Sequence, residues 1–144
     1  MSIGNRVRKA LGEGAAETRI DARDPRFRGR TYAIPFEDVW QVSLSILKED
    51  LACSLRLAND RDGIIIAQAA AVFPRRIDDV TVSVVLDQDA QTRVDMRSIA
   101  REGKADFGGN VRRVGRFFEL LDRKLAESPW RPRSPVSGSA VSET

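Results

Sequence analysis

The chain of 144 residues contains no histidine and a single cysteine, Cys53. The missing histidine removes the commonest general base and the commonest zinc ligand together. One cysteine excludes an internal disulfide and a thiolate metal cluster. Acid–base chemistry would therefore fall to Asp, Glu, Lys or Tyr, which argues against a histidine triad or a zinc hydrolase. No catalytic residue, metal or cofactor is assigned. Long apolar runs are also absent: none approaches the ~18 residues that a bilayer-spanning helix needs. The first residues, MSIGNRVRKALGEGAAETR, lack the continuous apolar segment of a secretory signal. A cytoplasmic location is the expectation.

What is present suits one soluble globular domain. Hydrophobic residues make up 42% and charged residues 31% of the chain, enough for one core. The net charge of +3 and pI near 9.5 would suggest a nucleic-acid binder if the charge were spread over the fold. It is not. Residues 1–31 hold eight Lys/Arg against four Asp/Glu, whereas residues 32–127 hold fourteen against sixteen. With a mildly acidic folded part, a groove for phosphate backbones is not indicated and no nucleic-acid partner is expected.

Three segments follow from composition. Residues 1–30 form a polar, arginine-rich leader, expected to be partly ordered. Within it, Ile3, Val7, Ala10 and Leu11 could line one face of a short helix beside Arg6, Arg8 and Lys9, a weak membrane anchor; membrane contact is not the reading adopted. Residues 31–127 form a single domain. Residues 128–144 are rich in Pro and Ser and are expected to be disordered. The sequence carries no signal for oligomeric state.

Within the domain, RTYAIP reads as a short strand stopped by Pro35. A helix follows, with Phe36, Trp40, Leu44, Leu47 and Leu51 at helical spacing; Pro35 suits its first turn, and Glu37 and Asp38 complement its dipole. Four strand-like runs come next. CSLRLA alternates, GIIIAQAAAVF reads as a long, largely buried strand, and DVTVSVVL places Val80, Val82, Val84 and Leu86 on one face. In QTRVDMRSIA, Val94, Met96 and Ser98 share a face opposite Arg93, Asp95 and Arg97. The last element is an amphipathic helix from about Phe107, with Val111, Val114, Phe118, Leu121 and Leu125 on its apolar face. The fold class is α+β: strand, helix, four strands, helix, with an antiparallel meander curved around the C-terminal helix and both helices on one face. Trp40, Phe73 and the other phenylalanines are assigned to the core.

The stretch RSIAREGKADFGGNVRR, Arg97 to Arg113, stands out. Arg97-Ser98, Arg101, Gly103, Asp106, Gly108 and Asn110 resemble the signature of the bacterial family known as domain of unknown function 1499, roughly Arg-Ser-x-Ser-Arg-x-Gly-x-Ser-Asp-x-Gly-x-Asn before the last helix. IDDV (Ile77 to Val80) is similar to the family's acidic pair at a strand start, and PFEDVW to its helix opening. The resemblance spans about Tyr32 to Leu125. Ala100 and Ala105 stand where the family tends to carry serine, and Gly109 where a larger residue is commoner. The resemblance implies a fold but no established activity.

Physically, Gly108 and Gly109 are poor helix formers, so close backbone approach or an anion at the helix start would explain them. Asp106 is placed as an N-cap, and Asn110 as a second cap or a bond to the preceding strand. Two readings stay open. In one, Arg97, Ser98, Arg101, Lys104, Gly108 and Asn110 form an anion or ligand site. In the other, Arg97 and Arg101 pair with Asp79, Asp95 or Asp106 and lock the last strand to the last helix, which explains the same residues without a ligand. Asp78 and Asp79, neighbours on a strand, face opposite ways and make a poor catalytic dyad. Ser98 has no histidine to activate it; Lys104 is its one conceivable base. Cys53 reads as a buried small hydrophobe. The leading expectation is a non-enzymatic domain that binds an anionic small molecule or a protein partner at this junction. The rivals are an enzyme with Asp106 or Asp79 as base and Arg97 as electrostatic stabiliser, and a membrane-associated adaptor.

Overall fold

A computed structural model describes residues 15–19, 22, 28–72, 75–102, 106 and 108–127. Alternation of apolar and polar residues decides the sheet. Four strands run as a meander: β3 (Ser54–Asn59), β4 (Ile64–Ala71), β5 (Arg76–Leu86) and β6 (Thr92–Ala100), each antiparallel to the next. On β5 every second residue from Arg76 to Val84 is buried, and on β6 every second residue from Thr92 to Ala100. One face of the sheet is therefore committed to a core.

Two short strands, β1 (Ala15–Glu17) and β2 (Arg30–Tyr32), lie along the outer edge of β6, pairing with Arg97–Ile99 and Thr92–Val94 respectively. The leader thus contributes a strand that its composition does not reveal. Three residues carry too little pattern to be read as one, and pairing with β6 supplies the stabilisation. That pairing also satisfies an edge that would otherwise expose unpaired backbone groups.

Helix α1 (Phe36–Ser45) starts after Pro35, whose carbonyl accepts from the N–H groups of Asp38 and Val39. It continues into a π-helical turn, Ile46–Asp50, closed by Leu51 N–H to the Ile46 carbonyl at 2.9 Å. Val39, Trp40, Ser43, Ile46 and Leu47 are buried, at ordinary helical spacing, while Leu44 and Leu51 are half-buried. Helix α2 (Gly109–Glu127) buries Val114, Phe117, Phe118, Leu120, Leu121 and Leu125. Phe107, expected to open this helix, and Phe73, expected in the core, lie outside the described residues.

Both helices pack on the same face, α2 against β6 and β1, and α1 against β5. The core between the layers joins Ile65, Val80, Val82, Val84, Val94 and Met96 of the sheet to Val39, Trp40, Phe117, Phe118 and Leu121 of the helices. Phe117 and Phe118 meet edge to face, 5.1 Å between centroids. β2 is tied to α2 as well: the Tyr32 hydroxyl donates to Asp122 at 2.6 Å, and the Arg30 guanidinium lies over the Phe118 ring. The apolar run of β4 proves to be buried on one face alone, with Ile65, Ala67 and Ala69 inside and Ile66 partly exposed. The fold is α+β: a six-stranded antiparallel sheet and two helices, one of them C-terminal.

Candidate functional site

The site grows from the ends of β5 and β6 beside the start of α2. Here the alternation that buries valines elsewhere buries polar residues. Arg76 and Asp78 precede Val80 on the inner face of β5, and Ser98 follows Met96 on the inner face of β6. Cross-strand pairing sets Val80 opposite Ser98 and Asp78 opposite Ala100.

These side chains satisfy one another. Asp78, fully buried, accepts from Arg76 Nε at 2.8 Å and from Arg113 Nη1 at 2.7 Å. Arg113 Nη1 also lies 3.1 Å from Ser98 Oγ and 2.7 Å from Asn110 Oδ1, and the Ser98 hydroxyl donates to that same Asn110 oxygen. Asn110 in turn donates from its amide nitrogen to Asp106 at 2.7 Å. Two arginines, two aspartates, a serine and an asparagine thus form one continuous network between sheet and helix. A buried charge with its partners is tolerable; an orphaned one is costly, so the network acts as a unit.

The helix start is closed by the same network. Asp106 accepts from the N–H groups of Gly108 at 3.0 Å and Asn110 at 2.8 Å, two and four residues on. Burial favours the neutral acid and is the largest single influence on Asp106. The backbone bonds from Asn110 and Gly108, the Asn110 amide and the nearby Arg76 charge together outweigh it and hold the carboxyl below its ordinary value. Gly108 adopts φ +82°, a conformation that costs other residues strain. Gly109 serves a different need: a Cβ there would stand 2.5 Å from Arg76 Nη2. Gly109 lets a buried arginine lie against the first turn of the helix.

The outer face differs. Asp79, half exposed, takes both Nη2 and Nε of Arg101, at 2.8 and 3.2 Å. Arg97 points outward too; its contact is Glu17 of β1 at 3.9 Å, with both side chains about half exposed. An Arg97–Asp106 brace does not form, because period-two alternation sends Arg97 to the face opposite Ser98 and the helix. Asp95 is taken by Arg93 and Thr18. Lys104 lies outside the described residues. The structure therefore gathers Ser98, Asn110 and Asp106, with Gly108, into the inner network. It sets Asp79 with Arg101 on the outside and leaves Arg97 apart.

Beside the network opens a hollow of about 670 Å³, lined by Ala70, Ala71, Arg75, Arg76, Ile77, Arg101 and Glu102. Arg101 is held at its rim by backbone as well, its N–H donating to the Ile77 carbonyl at 2.9 Å. Among the described residues Arg75 makes no hydrogen bond or ion pair.

Reasoning from sequence missed Arg75, Arg76 and Arg113. Arg76 had a signal: counting back by two from Val80 puts Asp78 and Arg76 on the core face. Arg113 stands one helical turn after Asn110, the spacing at which side chains meet. Chemically, the inner network is poorly suited to proton transfer. Asp106 has both oxygens occupied and a lowered pKa, and Ser98 faces an asparagine and an arginine rather than a base. Burial pushes the Cys53 thiol up, against a smaller opposing influence of Arg113, so the group stays protonated and unreactive. No group of three or more His, Cys, Asp or Glu side chains among the described residues is placed to hold a metal ion. No helix among them is long and apolar enough to cross a membrane.

These features define a small α+β domain whose last strand and last helix are joined by a buried polar network. The chain belongs to the family described as Protein of unknown function (DUF1499), which matches residues 6–121. It is also similar to an (R)-specific secondary-alkylsulfatase from Pseudomonas sp, at 32% identity over 79 residues. That stretch covers 53% of this chain and 11% of the relative, so the likeness concerns a small part of a much longer protein.

Proposed function

We propose that the domain is a non-catalytic binding module that takes an anionic ligand in the hollow lined by the end of β4, the start of β5 and the residues that follow β6. The observation that carries this reading is Arg75, a cation without a partner among the described residues, set on a hollow that Arg76 and Arg101 also line. A guanidinium offers several donors in a planar fork suited to carboxylate, sulfate or phosphate. The contact points differ from those the sequence suggests. Arg101 remains, and Arg75 takes the place given to Arg97. The N–H groups of Gly108 and Asn110 already bond to Asp106 and are not needed for a ligand.

Melting of the full chain in sodium sulfate and in sodium chloride at equal ionic strength tests this reading. A bound anion raises stability by about 1.4 kcal/mol when free ligand exceeds its Kd tenfold. Sulfate should raise the midpoint relative to chloride, and Arg75→Gln should abolish the difference. Sulfate is apt because of the partial likeness to a protein named an alkylsulfatase. Equal midpoints in the two salts, repeated with phosphate and acetate, would remove the reading.

A further inference from the structure

We infer that two copies of this chain associate by exchanging their basic leaders, residues 1–11 of each lying in an acid-rimmed apolar hollow of the other. This hollow lies at the opposite end of the sheet from the Arg75 site, and the inference stands apart from the anion reading.

Three segments meet at that end. The turn between β3 and β4, residues 60–63, lies against the end of β5, where Val84 N–H donates to the Gly63 carbonyl at 2.8 Å. The chain before α1 is fastened there too, the Thr92 hydroxyl donating to the Ile34 carbonyl at 2.7 Å. Leu86 closes β5 opposite Thr92, and the β5–β6 turn follows. A hollow of about 320 Å³ opens here, lined by Phe36, Val84, Val85 and Leu86 together with residues 60–63. Leu86 continues the inner face of β5 past the buried Val84 yet is 59% exposed, and Val85 beside it is 40% exposed.

Charge around the hollow is unbalanced. Glu37 and Asp38 open α1, Asp60 and Asp62 sit in the first turn, and Asp87 and Asp89 in the second, against one cation, Arg61, in the same segments. The bonds these carboxylates accept come from amide groups: Asn59 to Asp62, Gln41 to Glu37, and the backbone of Asp89 and Gln91 to Asp87. Such bonds leave the negative charge in place. Arg93, the first basic residue of β6, is taken by Asp95.

The chain itself carries the complement. Residues 1–11 hold Arg6, Arg8 and Lys9 and no acidic residue, interleaved with Ile3, Val7 and Leu11. Apolar side chains for the hollow and cations for its rim are what such a surface recognises. Within one chain the run cannot lie there while β1 stays paired. Ala15, the first residue of β1, is opposite Ile99, about 20 Å along the sheet from Arg93, the partner of Val85. Leu11 can stand at most about 14 Å from Ala15. A second copy turned end for end sets its hollow beside this leader and its leader beside this hollow, which closes a twofold dimer.

The test is sedimentation of the full chain over a range of concentrations, with amide NMR of the dilute full chain titrated by a synthetic peptide of residues 1–11. The full chain should pair as its concentration rises. The peptide should shift the amides of Gly63, Val85 and Leu86, and raising the salt from about 0.05 M to about 0.5 M should weaken its binding about tenfold. The double variants Arg8→Glu with Lys9→Glu, and Asp60→Lys with Asp62→Lys, should each stay monomeric where wild type pairs. An equal mixture of the two should pair again, because both junctions then regain opposite charges. A full chain that stays monomeric while the peptide binds would overturn the exchange in favour of a basic segment of another protein. If the peptide leaves these amides unmoved, or either variant pairs as wild type does, the inference falls.

Discussion

Asp78 and Asp79 are neighbours in sequence, identical in chemistry, and opposite in fate. Asp78 points into the molecule, has no exposed surface, and is shared by Arg76 and Arg113. Asp79 points out, keeps 40% of its side chain in water, and among the described residues pairs with Arg101. One step along a strand separates a carboxylate on which a buried network depends from one whose partner is screened by solvent. Burial, rather than the number of ion pairs drawn, decides what a charge is worth.

The comparison is sharpened most by removing the inner carboxylate. Asp78→Ala leaves two arginines facing each other without their shared partner, and should cost about 3–5 kcal/mol in urea denaturation. A loss below about 1 kcal/mol would show that the network relaxes or admits water, and the contrast with Asp79 would collapse.

The glycine that admits Arg76 comes next. Gly109→Ala should destabilise by about 1–3 kcal/mol, because the added methyl would lie 2.5 Å from a guanidinium that is itself buried and pinned by Asp78. Helix propensity alone points the other way, since alanine is favoured over glycine by about 1 kcal/mol in a helix interior. The sign of the measured change therefore separates the two effects.

Asp106 should cost about 1 kcal/mol when its cap is lost in Asp106→Ala at neutral pH. Its contribution also has a pH signature. The folded-state pKa lies below the ordinary 3.8, so the unfolded chain takes up the proton first as pH falls. The stabilisation is fully present above that ordinary value and is lost as pH drops through the lower folded value. Wild type should therefore lose stability below about pH 4, and Asp106→Asn should show a shallower loss over the same window. Parallel slopes for the two proteins would contradict the assignment.

The smallest effect is expected on the outside. Asp79→Asn should leave the urea midpoint within experimental error, as should Arg97→Ala, whose contact with Glu17 is long and exposed. Clear destabilisation by either would mean that the outer face matters to the fold in a way its geometry does not indicate.

Much of this was legible in the sequence, and the part that was not has physical causes. Alternation in DVTVSVVL and QTRVDMRSIA gave the inward faces of two strands, and the position of Ser98 opposite Arg97 was already in it. The further step from that face to a buried polar cluster needs the partners, and these come from 35 residues away, as with Arg113 and Asp78. No local pattern encodes such a pairing. Arg97 drew attention because it sits in a recognisable signature, yet its own periodicity points it to solvent. β1 escaped notice because three residues have no period to read. Arg75 escaped because a surface arginine in a turn acquires meaning through the hollow beside it.

The most direct test sets one residue of each kind side by side: urea denaturation of Arg113→Gln and Arg75→Gln, each with and without sulfate at constant ionic strength. The Arg113 variant should lose stability yet keep the stabilisation by sulfate, because its guanidinium serves the inner network. The Arg75 variant should match wild type in chloride and lose the response to sulfate. If instead Arg75→Gln destabilises the fold, or Arg113→Gln alone removes the sulfate response, then the division between a structural inner face and a binding outer rim is wrong.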